Sequence, residues 1–236
     1  MDYAIATFCY GERYYNQANR LIMSLNNLET PPEIFIVTDN PDAITTLPFV
    51  RKKNIADYSE KYLSYHKNYY GFDFSVKRFS VLFAFESGYN KVVLVDADAV
   101  INDALYTHDK VNECFLDNAI AGQVAYNFNE QVHTNSQLGL RFLHYEKTFN
   151  VEYDKNRLIS MPEDCIQYIS ISDDLKFKFI DTWNECIRIK EADNLSNIPA
   201  GNIDEMCFAA LYNGIDVKNN SDIHINLLYP VHEKWY

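Results

Sequence analysis

Apolar and polar residues follow two different periods in the first third of the chain, and together they predict a βαβ unit. The segments Tyr3 to Phe8 and Glu33 to Thr38 are largely apolar and short enough to be buried strands. Between them, Ala18, Leu21 and Leu25 recur at helical spacing, and a pair of prolines then ends the helix. The succession of strand, helix and strand indicates two neighbouring parallel strands.

A second helix and strand follow in the same arrangement. The apolar residues between Phe74 and Ser87 share one helical face, and Gly88 stands where a left-handed glycine would end the helix. The strand Val92 to Val95 begins almost at once. Buried strands separated by helices predict an α/β fold with a mostly parallel sheet, whose ligands bind at the carboxyl ends of the strands.

The second half of the chain is less regular. Residues 127–162 show no sustained period, so we expect irregular connections and short strands there. After them we expect a strand at 168–172, a helix capped by Asp173, a short helix from Asp204 to Tyr212, and a last strand at 222–228.

Composition and charge narrow the class of protein. With 236 residues, 47% of them hydrophobic, the chain can form one domain over residues 1–236, with a nucleotide-binding half at 1–105 and an acceptor-binding half at 106–236. A net charge of −12 opposes binding to nucleic acid or to an anionic membrane. Five scattered cysteines indicate neither a disulfide framework nor a zinc site. The sequence shows no long apolar run and no signal peptide, so we expect a cytoplasmic protein; its oligomeric state stays open.

Two aspartates, Asp96 and Asp98, follow directly after the strand at 92–95 in the segment KVVLVDADAVIND. Like charges this close repel each other unless a cation or the hydrogen bonds of a ligand compensate them. A bound divalent cation is therefore one interpretation. The alternative is that one aspartate caps the next turn and that water solvates the other.

This segment resembles the metal-binding Asp-x-Asp motif of glycosyltransferases with the GT-A fold, and the order of the preceding elements is similar too. The resemblance implies a Rossmann-like nucleotide-binding half, with Asp98 as a metal ligand and Asp96 on the metal or the ribose. The cofactor would be Mn²⁺ or Mg²⁺, bridging the diphosphate of a nucleotide-sugar donor. A UDP-sugar is the first choice of donor, and the acceptor, a sugar, glycan or protein, stays open.

The resemblance also assigns six further positions to the donor nucleotide. They are Lys77 and Arg78 near the ribose or diphosphate, and Thr7, Tyr10, Tyr14 and Asp39 near the base. For the two basic residues the alternative is a solvated helix face, and for the tyrosines it is a place in the core.

The C-terminal sequence VHEKWY resembles, in a shortened form without its glycine and proline, the tail of glycogenin-like and galactosyltransferase-like retaining members of the fold. The resemblance makes His232 a third metal ligand, Lys234 a phosphate contact and Trp235 a lid. A histidine beside two carboxylates suits Mn²⁺ better than Mg²⁺. The tail favours transfer with retention of configuration. The alternative is an ordinary terminal histidine.

Carboxylates for the chemistry itself are harder to choose. The pairs Glu163 with Asp164 and Asp204 with Glu205 each precede an apolar element, where the family places acceptor and sugar contacts. We take all four as candidate catalytic residues. The second pair begins a predicted helix, where acids are also favoured by the helix dipole.

Two other functions remain open at this stage. The sequence VLVDADAV also fits the Asp-x-Asp-x-Val motif of haloacid dehalogenase-like phosphatases, in which the first aspartate is a nucleophile and Mg²⁺ assists. That motif normally follows the first strand of its fold, whereas here a βαβ unit and another helix precede it. A non-catalytic module that binds nucleotide sugars or glycans is the third reading.

Overall fold

A computed structural model describes residues 2–58, 74–102, 104–126, 137–152, 161–192, 203–219 and 228–230. Its main feature is a seven-stranded sheet in the order β3-β2-β1-β4-β7-β6-β8. The strands are β1 Tyr3–Cys9, β2 Ile34–Thr38, β3 Val50–Asn54, β4 Lys91–Val95, β6 Ala119–Tyr126, β7 Met161–Ser170 and β8 Asp216–Asn219. Only β7 runs against its neighbours in this sheet. The predicted mostly parallel α/β sheet is confirmed, as a mixed sheet.

Helices cover both faces of the sheet. They are α1 Glu12–Leu25, α2 Arg78–Glu86, α3 His108–Glu113, α4 Gln137–Phe149, α5 Lys176–Ala192 and α6 Ile203–Tyr212. One buried cluster joins the sheet to α1 and α3, and the other joins it to α2, α4, α5 and α6. Strand β1 is buried along its whole length because both clusters meet on it.

A two-stranded sheet stands beside the main one. It pairs β5 Ala99–Ile101 with β9 Leu228–Pro230, and the two strands run antiparallel. Strand β5 follows the aspartate pair directly, so β9 brings the C-terminal part of the chain to the place where β4 ends. In this register Pro230 lies opposite Ala99.

Strands β1, β2 and β4 and helices α1 and α2 match the sequence prediction, and Gly88 has the expected positive φ of 95° at the end of α2. Strand β3 was not predicted, because its sequence, VRKKN, is mostly polar. The middle of the chain does not match. Residues 137–149 form a helix rather than irregular structure, and β7 begins at Met161 instead of near residue 168. The buried face of α4 includes Arg141, a charged residue, so the helix lacks an uninterrupted apolar stripe.

One smaller expectation was wrong, and one more strand of the main sheet was missed. Asp173 does not begin α5, which starts at Lys176; its carboxylate instead lies 2.7 Å from Lys176 Nζ. Strand β8 was not predicted because its sequence, DVKN, is too polar and too short to show a period. Most of the predicted last strand at 222–228 lies outside the described residues.

No described helix is both long enough and apolar enough to cross a membrane.

Candidate functional site

The strand order places a crevice between the ends of β1 and β4. From β1 the chain moves outward on one side to β2 and β3, and then returns to the other side of β1 as β4. In open parallel sheets, such a reversal leaves a gap outside the carboxyl ends of the two central strands, and ligands bind there. In this chain the gap is bordered by Tyr10 and Gly11 after β1, and by Asp96 and Asp98 after β4.

Asp96 is paired with a lysine. Lys77 ends the 3₁₀ turn Phe74–Lys77 that leads into α2, and its Nζ forms an ion pair with Asp96 Oδ1. The Oγ atom of Ser80 donates a 2.7 Å hydrogen bond to the carbonyl oxygen of Lys77, which fixes the backbone from which the side chain extends. The lysine side chain is 10% exposed and the aspartate side chain 28% exposed. The pair therefore has its cation largely enclosed and its anion open to the crevice.

Asp98 lies two residues further along the chain, in the turn after β4. The amide of Ala99 donates a 3.1 Å hydrogen bond to the carbonyl oxygen of Asp96, and this turn leads from β4 into β5. Ala97 between the two aspartates is buried, while both carboxylates are partly exposed. The two acids thus share one edge of the sheet and are partly exposed, as a site for a metal ion requires.

The aspartates suit a metal ion that arrives with a ligand. Among the described residues, no cluster of three or more histidine, cysteine or acidic side chains is placed to hold a metal. Two carboxylates leave most positions of an octahedral ion to other oxygens, and Mg²⁺ and similar ions commonly take these from substrate phosphates and water. Asp96 and Asp98 therefore fit a divalent ion that is shared with a diphosphate.

Asp39 closes the other side of the crevice. Its Oδ1 accepts a 3.3 Å hydrogen bond from the amide of Gly11, which ties the end of β2 to the turn after β1. Gly11 has a φ of 84°, a conformation that only glycine adopts without strain. Partial burial and a hydrogen bond to Asp39 raise the pKa of Tyr15 to about 12, so this hydroxyl is a donor at neutral pH.

The remaining nucleotide candidates occupy different surroundings. Tyr10 is 43% exposed at the end of β1, and Tyr14 is partly buried on the first turn of α1. Thr7 is fully buried within β1, two residues before the strand ends. Arg78 is also fully buried, and its Nε donates a hydrogen bond to Asn184 Oδ1 on α5. Tyr10 is thus exposed to solvent, whereas Thr7 and Arg78 are buried in the interior.

Asp204 and Glu205 form a buried charge cluster with two basic residues. Asp204 Oδ2 accepts a 2.7 Å hydrogen bond from Arg141 Nη1, and Glu205 Oε1 pairs with Lys190 Nζ. Both carboxylates are completely buried, in the first turn of α6. Helix α6 leads back to the amino end of β8, so its first turn lies toward the same sheet edge as Asp96. No pattern in the sequence indicates Arg141 or Lys190 as their partners.

Burial and the neighbouring Asp204 carboxylate raise the pKa of Glu205 to about 8, against the opposing effect of Lys190. Asp204 Oδ1 and Glu205 Oε2 are both buried and meet no conventional donor in the part of the chain that the structure describes. A proton carried by Glu205 and donated to Asp204 would satisfy both oxygens. The hydroxyl of Tyr145, also buried in this cluster, has no hydrogen-bond partner among the described residues.

The other predicted residues are only partly described. Glu163 and Asp164 lie near the start of β7. Because Val95, the last residue of β4, pairs with Ile166, the backbone of this acidic pair extends past the end of β4. His232 and Lys234 lie outside the described residues, as does Trp235. The described chain stops at Pro230, opposite Ala99 and therefore next to Asp98.

No protein-family model matches the chain, and no curated protein matches its sequence.

Proposed function

We propose that the protein is a GT-A-like glycosyltransferase that moves a sugar from a nucleotide-diphosphate donor, with a divalent metal ion, to an acceptor not yet identified. One observation carries the proposal. Asp96, Asp98 and the ammonium group of Lys77 converge at the carboxyl end of β4, beside the point where the strand order reverses. Two carboxylates for a metal and one ammonium for a phosphate are the groups that a metal-bound diphosphate requires.

The other border of the crevice suits the nucleoside. Tyr10 offers an exposed aromatic ring, and Asp39 offers carboxylate oxygens at the end of β2. An exposed ring can stack on a base, and a carboxylate can accept hydrogen bonds from a base or ribose. The base and the diphosphate would then lie at opposite ends of one crevice, which supports a nucleotide rather than a simple phosphate as ligand.

The C-terminal tail is proposed to complete the metal site. Strand β9 ends at Pro230, two positions before His232 in the chain. Since Pro230 lies opposite Ala99, the tail starts beside Asp98. This supports His232 as a third ligand and Mn²⁺ as the preferred metal, and it supports Lys234 as a contact to the departing phosphate. A metal ion at this position would stabilise the negative charge on the leaving nucleoside diphosphate.

The position of the aspartate pair bears on the phosphatase alternative. Three parallel strands precede β4 in the chain, so the pair does not follow the first strand as it does in the phosphatase motif. This position in the topology favours a metal-clamping role over a phosphoryl-transfer role.

The roles of the acids near the sugar stay predictions. Asp204 and Glu205 are enclosed by Arg141 and Lys190, so in this conformation they can act on a sugar only by fixing the first turn of α6. Glu163 and Asp164 lie in the part of β7 that extends past β4, where an acceptor or a donor sugar would approach.

The proposal is tested by calorimetric titration of UDP and other nucleoside diphosphates in the presence of Mn²⁺. We expect binding that requires the metal, and we expect Asp98→Ala to weaken it by roughly a hundredfold because one of two carboxylate ligands is lost. Asp109→Ala is the matched control, since Asp109 is an exposed aspartate on α3, away from this edge of the sheet. Circular dichroism should show that both variants are folded.

Activity assays then separate the three functions. A glycosyltransferase releases nucleoside diphosphate from a nucleotide sugar with Mn²⁺, by transfer or by slow hydrolysis. Unchanged nucleotide affinity and unchanged metal dependence in Asp98→Ala would contradict the metal assignment. Hydrolysis of simple phosphomonoesters that is lost in Asp96→Asn, with a beryllium fluoride adduct on the wild type, would establish the phosphatase instead. Tight nucleotide-sugar binding without any turnover would establish the non-catalytic module.

A further inference from the structure

The ion pair between Lys77 and Asp96 raises a question about the metal site. A carboxylate that is already neutralised by an ammonium group attracts a divalent cation less than a free carboxylate does. The backbone of Lys77 is also fixed in place, because Lys77 ends the turn that leads into α2 and its carbonyl oxygen accepts the 2.7 Å hydrogen bond from Ser80 Oγ. The ammonium group therefore stays close to Asp96 until another anion offers it a place.

We propose that Lys77 is an internal counter-ion of Asp96, which a divalent metal displaces only when a diphosphate arrives to receive the ammonium group. This inference rests on the proposed function and adds an order of binding to it. Without nucleotide, Lys77 holds Asp96 and the metal binds weakly. With nucleotide, the metal takes the Asp96 carboxylate and Lys77 moves onto a diphosphate oxygen.

Geometry and charge support this exchange. The lysine side chain is 10% exposed and the carboxylate is 28% exposed, so the crevice opens on the acid and the lysine approaches it from the protein side. A lysine has a flexible stem and an ammonium group with three donors, so a short movement can transfer it between two neighbouring anions. The metal ion frees Lys77 for the diphosphate, and the diphosphate draws Lys77 away from the carboxylate that the metal ion needs. Each ligand should therefore raise the affinity of the other by the same factor.

The test measures Mn²⁺ affinity without nucleotide, by electron paramagnetic resonance of free Mn²⁺, and UDP affinity with saturating Mn²⁺, by calorimetry. Lys77→Met removes the charge and keeps most of the stem. We expect it to tighten Mn²⁺ binding roughly tenfold in the absence of nucleotide, because Asp96 loses its competing cation. We expect the same variant to weaken UDP binding roughly tenfold, because the diphosphate loses one ammonium contact.

The opposite signs distinguish an exchanging counter-ion from a structural lysine, whose loss would weaken both ligands. Lys77→Arg should restore weak Mn²⁺ binding, since it restores the positive charge. Lys91→Met is the matched control: Lys91 Nζ lies 2.9 Å from Asp2 Oδ2 at the opposite end of β4, and its loss should change neither affinity.

The inference is overturned if Lys77→Met, shown to be folded by circular dichroism, binds Mn²⁺ alone no more tightly than the wild type does. Where the wild type binds UDP, the inference is also overturned if Lys77→Met binds it as tightly. If the wild type binds no nucleoside diphosphate while Lys77→Met still binds Mn²⁺ more tightly, the proposed function fails and the metal measurement still supports the counter-ion. The two failures are therefore distinguishable.

Discussion

Two lysine–carboxylate pairs in this protein have lysines that are buried to a similar degree, but their acids differ in exposure to solvent. The side chain of Lys77 is 10% exposed and that of Lys190 is 14% exposed. Their partners differ: the side chain of Asp96 is 28% exposed at the end of β4, whereas that of Glu205 is fully buried at the start of α6. Water and ligands can reach the first carboxylate and cannot reach the second.

This difference decides what each pair can do. A buried carboxylate that loses its partner has no solvent to replace it, so the pair is costly to break and serves to hold α5 and α6 together. A carboxylate at an open crevice can exchange its lysine for water, for a metal ion or for a ligand at small cost. Ion pairs with similar geometry can therefore be structural at one site and exchangeable at another.

The largest effect is expected when the buried cluster loses its other cation. Arg141→Met leaves Asp204, which is fully buried, without the guanidinium that lies 2.7 Å from Oδ2. Removing one partner of a buried pair costs about 3–5 kcal/mol, and the free energy of unfolding from urea denaturation should fall by that amount.

Arg188→Met is the matched control for this measurement. Arg188 pairs with Glu185 on α5, and both side chains are about 40% exposed. Exposed pairs contribute about 0–1 kcal/mol, so the control should remain close to the wild type. Equal losses in the two variants would show that burial does not distinguish these pairs.

A further effect, which depends on pH, is expected from Glu205. The folded protein raises the pKa of this carboxyl from its ordinary value of 4.5 to about 8, so the folded state binds a proton that the unfolded state releases between these values. Its contribution to stability is fully present below pH 4.5 and is lost as the pH rises through 8. The contribution of this group to the slope is at most about 1.4 kcal/mol per pH unit.

Glu205→Gln should remove that slope. A glutamine amide can donate to Asp204 and accept from Lys190, as the protonated carboxyl does, but it does not titrate. The free energy of unfolding of the variant, measured between pH 5 and pH 8.5, should therefore decline less than that of the wild type. Parallel curves for the two proteins would mean that Glu205 is ionised in the folded state.

Much of the fold could be predicted where each element has one dominant pattern. Strands β1, β2 and β4 are almost entirely buried, so their apolar runs are unambiguous, and α1 carries a regular apolar stripe. Helix α4 was missed because its inner face combines Arg141 with aromatic residues, and the charge is acceptable there only because Asp204 lies opposite. A partner 63 positions away in the chain leaves no local signal.

The residues of the candidate site could likewise be predicted where they follow an element with a clear pattern. Asp96 and Asp98 stand at the end of an evident strand, and the sheet edge on which they lie follows from the topology. The sequence also identified Lys77 and Arg78 as candidates, but it could not indicate which of the two contacts Asp96. The structure pairs Lys77 with Asp96 and directs Arg78 toward Asn184, because neighbouring residues at the start of a helix point about 100° apart.

The smallest effect on stability should come from the exchangeable pair. Lys77→Met removes a lysine about as enclosed as Lys190, yet it leaves behind a carboxylate whose side chain is 28% exposed. Water can solvate Asp96, so the free energy of unfolding should change by no more than about 1 kcal/mol. Lys190→Met provides the comparison, because it leaves the fully buried Glu205, and its cost should grow above pH 8, where that carboxyl would otherwise ionise. If the two lysine variants lose equal stability at pH 9, access of water to the carboxylate is not what separates the two sites, and the exchange proposed for Lys77 loses its physical basis.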